Sequence, residues 1–331
     1  METFDVMRFF SVLKRQFAGV LLLSAGLCGC SEESSAPDMA EVARRVEART
    51  ATTLKTTPDE LRKQLNCFQA EFRVLGNDIV EGTLYQSGVR NIKPLAGLPL
   101  RALDLGMTQV DDLTPLTGMQ LQRLDLENTP VVNLAPLQGM PLQILKMQKT
   151  NVTDFSVLKG MPLKQLNVLD LPFSDADLEL IREAPLDTIW LAGTKVTDLS
   201  TFPVTTLKSL DIERTNVASL NFVAGCPQLQ RLNIAETPVS DLTPLKGLRL
   251  QRMTLTPGRI QSGIEVLRDM KSLTQIQTSM NEPMSAVDFW KRFDLGVWKS
   301  TESTVLGTSA SAAEMPTTPE PAPANGAETA Q

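Results

Sequence analysis

The stretch Pro99-Leu100-Arg101-Ala102-Leu103-Asp104-Leu105-Gly106-Met107-Thr108-Gln109-Val110 places apolar side chains at 100, 103, 105 and 110. The same ladder returns at Leu121, Leu124, Leu126 and Val131, at Leu207, Leu210, Ile212 and Val217, and at Leu229, Leu232, Ile234 and Val239. Its leading residues Leu100, Leu121, Leu142 and Leu163 are 21 apart, and Leu186, Leu207, Leu229, Leu250 and Leu273 follow at steps of 21 to 23. A degenerate earlier unit lies at Ile79, Leu84, Val89, Ile92 and Leu95. So short and constant a period marks a stack of small supersecondary units.

Leu-x-Leu reads as a short strand whose alternate side chains face one side. One unit cannot bury that face alone, so each stacks on the next and shares a continuous core. Proline then recurs at one point, in Leu113-Thr114-Pro115-Leu116, Leu134-Ala135-Pro136-Leu137 and Leu242-Thr243-Pro244-Leu245. It suits the first position of a helical turn, and Gly118, Gly139, Gly160 and Gly247 suit the exit. Units of 21 residues leave little room for a full α-helix, so 3₁₀ turns are expected.

The pattern resembles the leucine-rich-repeat family, in its bacterial short-unit form with T-x-V-x-D-L-x-P-L-x-G-M. The usual asparagine position holds Thr108, Thr129, Thr150, Thr194, Thr215 and Thr237, whose hydroxyls can bond backbone at the bend. Similar arrays in planctomycete-type proteins end in a Phe-Trp-Lys-Lys-Tyr-like segment, which Asp288-Phe289-Trp290-Lys291-Arg292-Phe293-Asp294 matches. The kinase that precedes such arrays is not matched, for the chain carries no glycine-rich phosphate loop and no His-Arg-Asp catalytic loop. The resemblance implies an α/β solenoid, with a parallel β-sheet on the concave face, short 3₁₀ or irregular turns on the convex face, and helical caps.

The expected organisation is a lipoprotein signal peptide over 1–29, a tether over 30–57, an amino-terminal cap over 58–78, repeats over 79–282, a capping helix over 283–298 and a disordered tail over 299–331. Thr57-Pro58-Asp59-Glu60 has the form of a capping box, opening a helix with Leu61, Leu65 and Phe68 on one face. Ser285-Ala286-Val287-Asp288 is a similar device ahead of Trp290, which is expected to seal the last core layer. The unit from Leu163 to Ala184 is irregular: Leu171-Pro172 replaces the threonine step, and either a kink or a functional loop fits it.

Arg8 to Arg15 carry three positive charges, followed by an apolar run from Phe17 to Leu27. That run is shorter than the roughly 20 residues a spanning helix needs, and with the small residues after it reads as a secretory signal. Met7 gives a cleaner signal than Met1, since it leaves out Glu2 and Asp5. Leu27-Cys28-Gly29-Cys30 resembles the bacterial lipobox, which implies lipidation of Cys30, palmitate or a similar acyl chain, and membrane anchoring. Ser31, rather than aspartate, after that cysteine favours the outer membrane. From Ser31 to Thr57, and again from Ser300 onward, composition gives no face able to bury a core.

Composition excludes several functions. The chain has no histidine, which removes Ser-His-Asp and Cys-His catalysis and the commonest metal ligand. A net charge of −6 gives no electrostatic reason to seek nucleic acid. Cys67 and Cys226 stand six repeat steps apart, about 29 Å at strand spacing, far beyond the roughly 7 Å a disulfide spans. Both are expected to be buried free thiols. No cofactor or metal is indicated, and a monomer is expected.

Non-core strand positions line the concave face, the working surface of solenoids. One column reads Asp104, Asp125, Lys146, Asn167, Trp190, Asp211, Asn233 and Thr254; the column before it reads Ala102, Arg123, Ile144, Gln165, Thr188, Ser209, Arg231 and Arg252. Trp190 is the candidate anchor for a partner, with Ile144 and Leu169 as apolar support. Lys146, Asp104, Asp125, Asp211 and Arg123 complete the candidate face, although charges there also fit a merely solvated surface. Three functions compete. The first is a non-catalytic envelope lipoprotein that binds a protein or cell-wall ligand. The second is a structural envelope lipoprotein with no specific ligand. An enzyme built on Asp104 and Asp125 is disfavoured, because those carboxylates repeat by register instead of converging.

Overall fold

A computed structural model describes residues 56–202, 205–278 and 284–298 of the 331-residue chain. The expected leader, Cys30, the expected tether as far as residue 55 and the expected tail lie outside the described residues. Helix α1 spans Pro58–Gln64, followed by strands β1 (Glu71–Leu75) and β2 (Asp78–Thr83). Then come β3 (Ala102–Asp104), β4 (Arg123–Asp125), β5 (Ile144–Lys146) and β6 (Gln165–Asn167). After helix α2 (Asp175–Leu178) lie β7 (Thr188–Trp190), β8 (Ser209–Asp211), β9 (Arg231–Asn233) and β10 (Arg252–Leu255). Helix α3 (Ile264–Arg268), β11 (Gln275–Thr278), β12 (Met284–Ser285) and α4 (Ala286–Asp294) close the unit.

The strands form one 12-stranded sheet in strict chain order. From β2 to β11 every pairing is parallel, with no slip of register: Ala102, Arg123, Ile144, Gln165, Thr188, Ser209, Arg231 and Arg252 stand in one row, and Asp104 through Thr254 in the next. Between these rows the middle residue of each strand, from Leu103 to Met253, is buried. This alternation is the period-2 pattern that Leu-x-Leu encodes. The fold is a leucine-rich-repeat solenoid.

Two features hold six of the bends. First, six threonine hydroxyls donate to the carbonyl three residues back: Thr108 to Leu105 at 2.6 Å, Thr129 to Leu126 at 2.7 Å, Thr150 to Met147 at 2.8 Å, and Thr194, Thr215 and Thr237 likewise. All six are buried. Second, a residue with positive φ precedes each of these threonines, and only Asn128 and Gly193 among them are residues that favour that conformation. On the opposite side the proline segments form 3₁₀ turns at Thr114–Leu116, Ala135–Leu137 and Thr243–Leu245. Asp112, Asn133 and Asp241 accept from the amides that open them, and Gly118, Gly139, Gly160 and Gly247 leave with positive φ.

The irregular unit leaves the sheet untouched. Strands β6 and β7 pair in full register, and the additional residues form α2 and a following 3₁₀ turn, Glu179–Ile181, away from it. Ser174 and Asp177 make a capping box there, and Asp175 accepts from the Thr197 amide at 2.8 Å. Phe173 fills the core beside Phe155, ring centroids 5.0 Å apart. The pairing of the sheet is unbroken across the unit.

Both ends differ in detail from expectation. Helix α1 carries the capping box, and Leu61 and Leu65 are buried, but the helix stops at Gln64 and leaves Phe68 76% exposed. The layer is finished by β1, which pairs antiparallel with β2, a hairpin the repeat period could not reveal. At the other end Ser285 caps α4 by accepting from the Asp288 amide. Phe289, fully buried, seals the last layer. Trp290 lies half-buried at its edge, with the Arg268 guanidinium 4.4 Å from its ring centre. The helix starts at the expected Ser285 cap, and its turn points Phe289 at the core and leaves Trp290, one residue on, at the edge of the layer. Cys67 and Cys226 are buried free thiols, and burial pushes the Cys226 thiol up to about 11.

Candidate functional site

The candidate residues come from successive rungs of one face. Asp104, Arg123, Asp125, Ile144 and Lys146 lie on β3–β5; Trp190 and Asp211 lie on β7 and β8; all are half-buried. Leu169 sits in the bend just past β6, where its amide donates to Asn167 at 3.1 Å. It is one rung from Trp190. Ile144 is two rungs away in the other row, about 10 Å across the sheet at strand spacing, so it belongs with the charged group and does not support the indole.

The row containing Asp104 has an internal job. Asp104 accepts from the Gly106 amide at 2.9 Å, Asp125 from Glu127 at 2.9 Å, Asn167 from Leu169 at 3.1 Å, Asp211 from Glu213 at 3.0 Å and Asn233 from Ala235 at 3.0 Å. Each side-chain oxygen caps the amide two residues on and turns the chain out of its strand. Lys146, Trp190 and Thr254 make no such bond, the first two because neither side chain carries an acceptor. The paired carboxylates Asp104 and Asp125 are therefore two members of a five-fold turn device.

Electrostatics divide the face. On its first rungs Glu81 accepts from Arg73 at 2.6 Å and from Arg123 at 2.8 Å, and Lys146 pairs with Asp125 at 3.2 Å. Asp104 has no ion-pair partner among the described residues. Burial lifts its carboxyl to about 6, against the Gly106 amide, and the Asp125 charge adds to the rise. Burial also raises Asp211. Tyr85 lies against Gly106, where an added Cβ would sit 3.0 Å from the ring, and its hydroxyl meets the Met107 sulfur at 2.9 Å. Its phenol is raised by burial and by Glu127, Asp104 and Asp125.

Sequence reasoning missed Tyr85 and Glu81. Both belong to the degenerate first unit, where the Leu-x-Leu signature is lost and no row could be assigned. Glu127 and Glu213 were missed for another reason: they stand just past the strands, in bends that place them beside the face.

No family model matches the chain, and no curated protein does. Among solved structures it is similar to an internalin (InlF) of Listeria monocytogenes, at 18% identity over 73% of this chain and 90% of that one, with a TM-score of 0.47. Internalin C2 of the same organism gives 22% identity, 61% and 81% coverage and a TM-score of 0.40. The functional domain of InlJ, also from Listeria monocytogenes, gives 17% identity, 60% and 53% coverage and 0.40. The chain has a leucine-rich-repeat fold on the strength of its own register, burial and bend hydrogen bonds.

Proposed function

We propose that the chain is an exported lipoprotein, acylated at Cys30 and anchored to the outer membrane, whose sheet face captures a protein or cell-envelope ligand without chemistry. One observation carries the binding reading. Trp190 occupies a row position where five other rungs place an Asp or Asn acceptor that holds the chain bend, and it stands half-buried on the face. A structural contribution is given up there for an indole. Indoles of that kind anchor interfaces. The acceptor role of Asp104 and Asp125 accounts for their pairing without acid–base catalysis.

The test is crosslinking of the full chain to native envelopes, followed by mass spectrometry, beside a Trp190→Ala variant with the same unfolding midpoint. Loss of one defined partner in the variant supports capture through this face. Retention of every crosslink overturns it and leaves the spacer role. Labelling with radioactive palmitate, abolished by Cys30→Ser, tests the anchor.

A further inference from the structure

The last rungs of the face differ from the first. Strands β9, β10 and β11 present Arg231, Asn233, Arg252, Gln275 and Gln277, two cations and no anion. Arg231 and Arg252 are directly opposed in register, and both are exposed. Like charges so placed on adjacent strands are unfavourable. Arg231 donates from Nε to Ser209 at 3.2 Å, and Arg252 from Nε to Gln275 at 2.8 Å. Among the described residues neither has a carboxylate partner, and both forks keep their terminal NH₂ groups unused. Elsewhere on the face cations are neutralised: Arg123 by Glu81 and Lys146 by Asp125. In a chain of net charge −6, two aligned guanidiniums with no carboxylate partner among the described residues stand out.

We infer that Arg231 and Arg252 receive an acidic segment of a partner protein, two carboxylates on the two forks, while an apolar residue of that segment covers Trp190. The inference rests on the sheet face being the binding surface. Charge complementarity selects the occupant, since guanidinium forks match carboxylates bidentately. Trp190 is two to three strands from the pair and two residues along, in the other row, about 12–16 Å in all, which four or five extended residues cover. Nucleic acid fits worse, because affinity for a phosphate backbone grows with the number of cations that meet it, and these strands offer two in a chain of net charge −6.

The probe is a fluorescent Gly/Ser peptide carrying Asp-Asp and a phenylalanine four residues away, measured by anisotropy against the full chain, with a Lys-Lys peptide as control. Preference for the Asp-Asp peptide, weakened about tenfold or more in an Arg231→Gln/Arg252→Gln double variant and by added salt, supports the inference. Both arginines are exposed, so the variant folds, and an unchanged unfolding midpoint confirms it. Equal binding of both peptides, or an unaffected double variant, overturns it, as does tighter binding of single-stranded DNA of equal charge. In the crosslinking experiment, capture that survives the double variant but not Trp190→Ala overturns the acidic segment alone. Capture that survives both overturns the binding face as well.

Discussion

Arg123 and Glu81 meet at 2.8 Å across a strand that neither belongs to. The residue between them in register is Ala102, too short to obstruct the guanidinium. The bends repeat the arrangement: Arg214 reaches Asp170 at 3.0 Å, and Gly193 stands on the rung between, its amide bonded to Glu213 as Asp170's is to Ala192.

Gly193→Ala is therefore expected to destabilise twice over. Its φ of +68° disfavours a side chain, and a Cβ would press on the Asp170 carboxylate. Gly118, with φ +75° and open space around it, carries only the backbone part. That part is about 1–2 kcal/mol. Urea midpoints should fall for both alanine variants and further for Gly193; equal losses would refute the ion pair's dependence on that gap.

Thr129→Val removes a buried hydroxyl that donates to Leu126 at 2.7 Å and keeps the shape. A loss of about 1–2 kcal/mol is expected. Thr117 donates to Thr114 at 2.8 Å at an exposed site, where water replaces the bond, so Thr117→Val should leave the denaturation curve almost unmoved.

Asp104 titrates in the folded chain at about 6, raised by burial. Unfolded, it ionises near 3.9. Between these values the folded state holds the extra proton, so this group's contribution to stability falls as pH rises from about 4 to about 6 and is flat above. Asp104→Asn keeps the acceptor for Gly106, as Asn167 and Asn233 keep theirs. It should raise the thermal midpoint at pH 7 and flatten that slope. An unchanged slope would show that Asp104 is not its source.

Lys146→Asn supplies the acceptor that its rung lacks and loses the contact with Asp125. A capping bond contributes about 0.5–1.5 kcal/mol, and a half-exposed ion pair about 0–1 kcal/mol. The midpoint should stay level or rise. A clear fall would mean that Lys146 supports the fold by some other contact.

Phe289→Ala empties the seal of the last layer, where Trp298 stacks on the ring at a centroid distance of 4.9 Å. A cost of about 3–5 kcal/mol is expected. Repeats transmit stability to their neighbours, so hydrogen exchange should quicken first in β10 and β11 and leave β3–β5 protected; uniform quickening would contradict that polarity.

The repeated core was legible because a leucine every 21–23 residues can be buried in only one way, and the rows of the sheet follow from that register. The threonine bonds were legible too, since a hydroxyl at a fixed offset from Leu105 or Leu126 has one carbonyl within reach. The ends were legible only in part: the Thr57 and Ser285 caps were, but β1 and β12 cover single layers, and a structure used once has no period. The strained bends were equally silent, for Met107, Lys149 and Arg214 adopt positive φ under constraint from the stack and against their own preference. On the face, sequence gave the members of each row but not the division between Asp104, which caps a bend, and Lys146 or Trp190, which cannot.

The detour through α2 shows where the fold tolerates growth. Two residues more than the usual unit pass without shifting Asn167 from its place opposite Trp190. Length can thus vary behind the sheet while the pitch in front stays fixed. Forward-pointing side chains that hold no bend can then be exchanged singly, so the surface of such a chain can be rewritten rung by rung without refolding the frame that displays it.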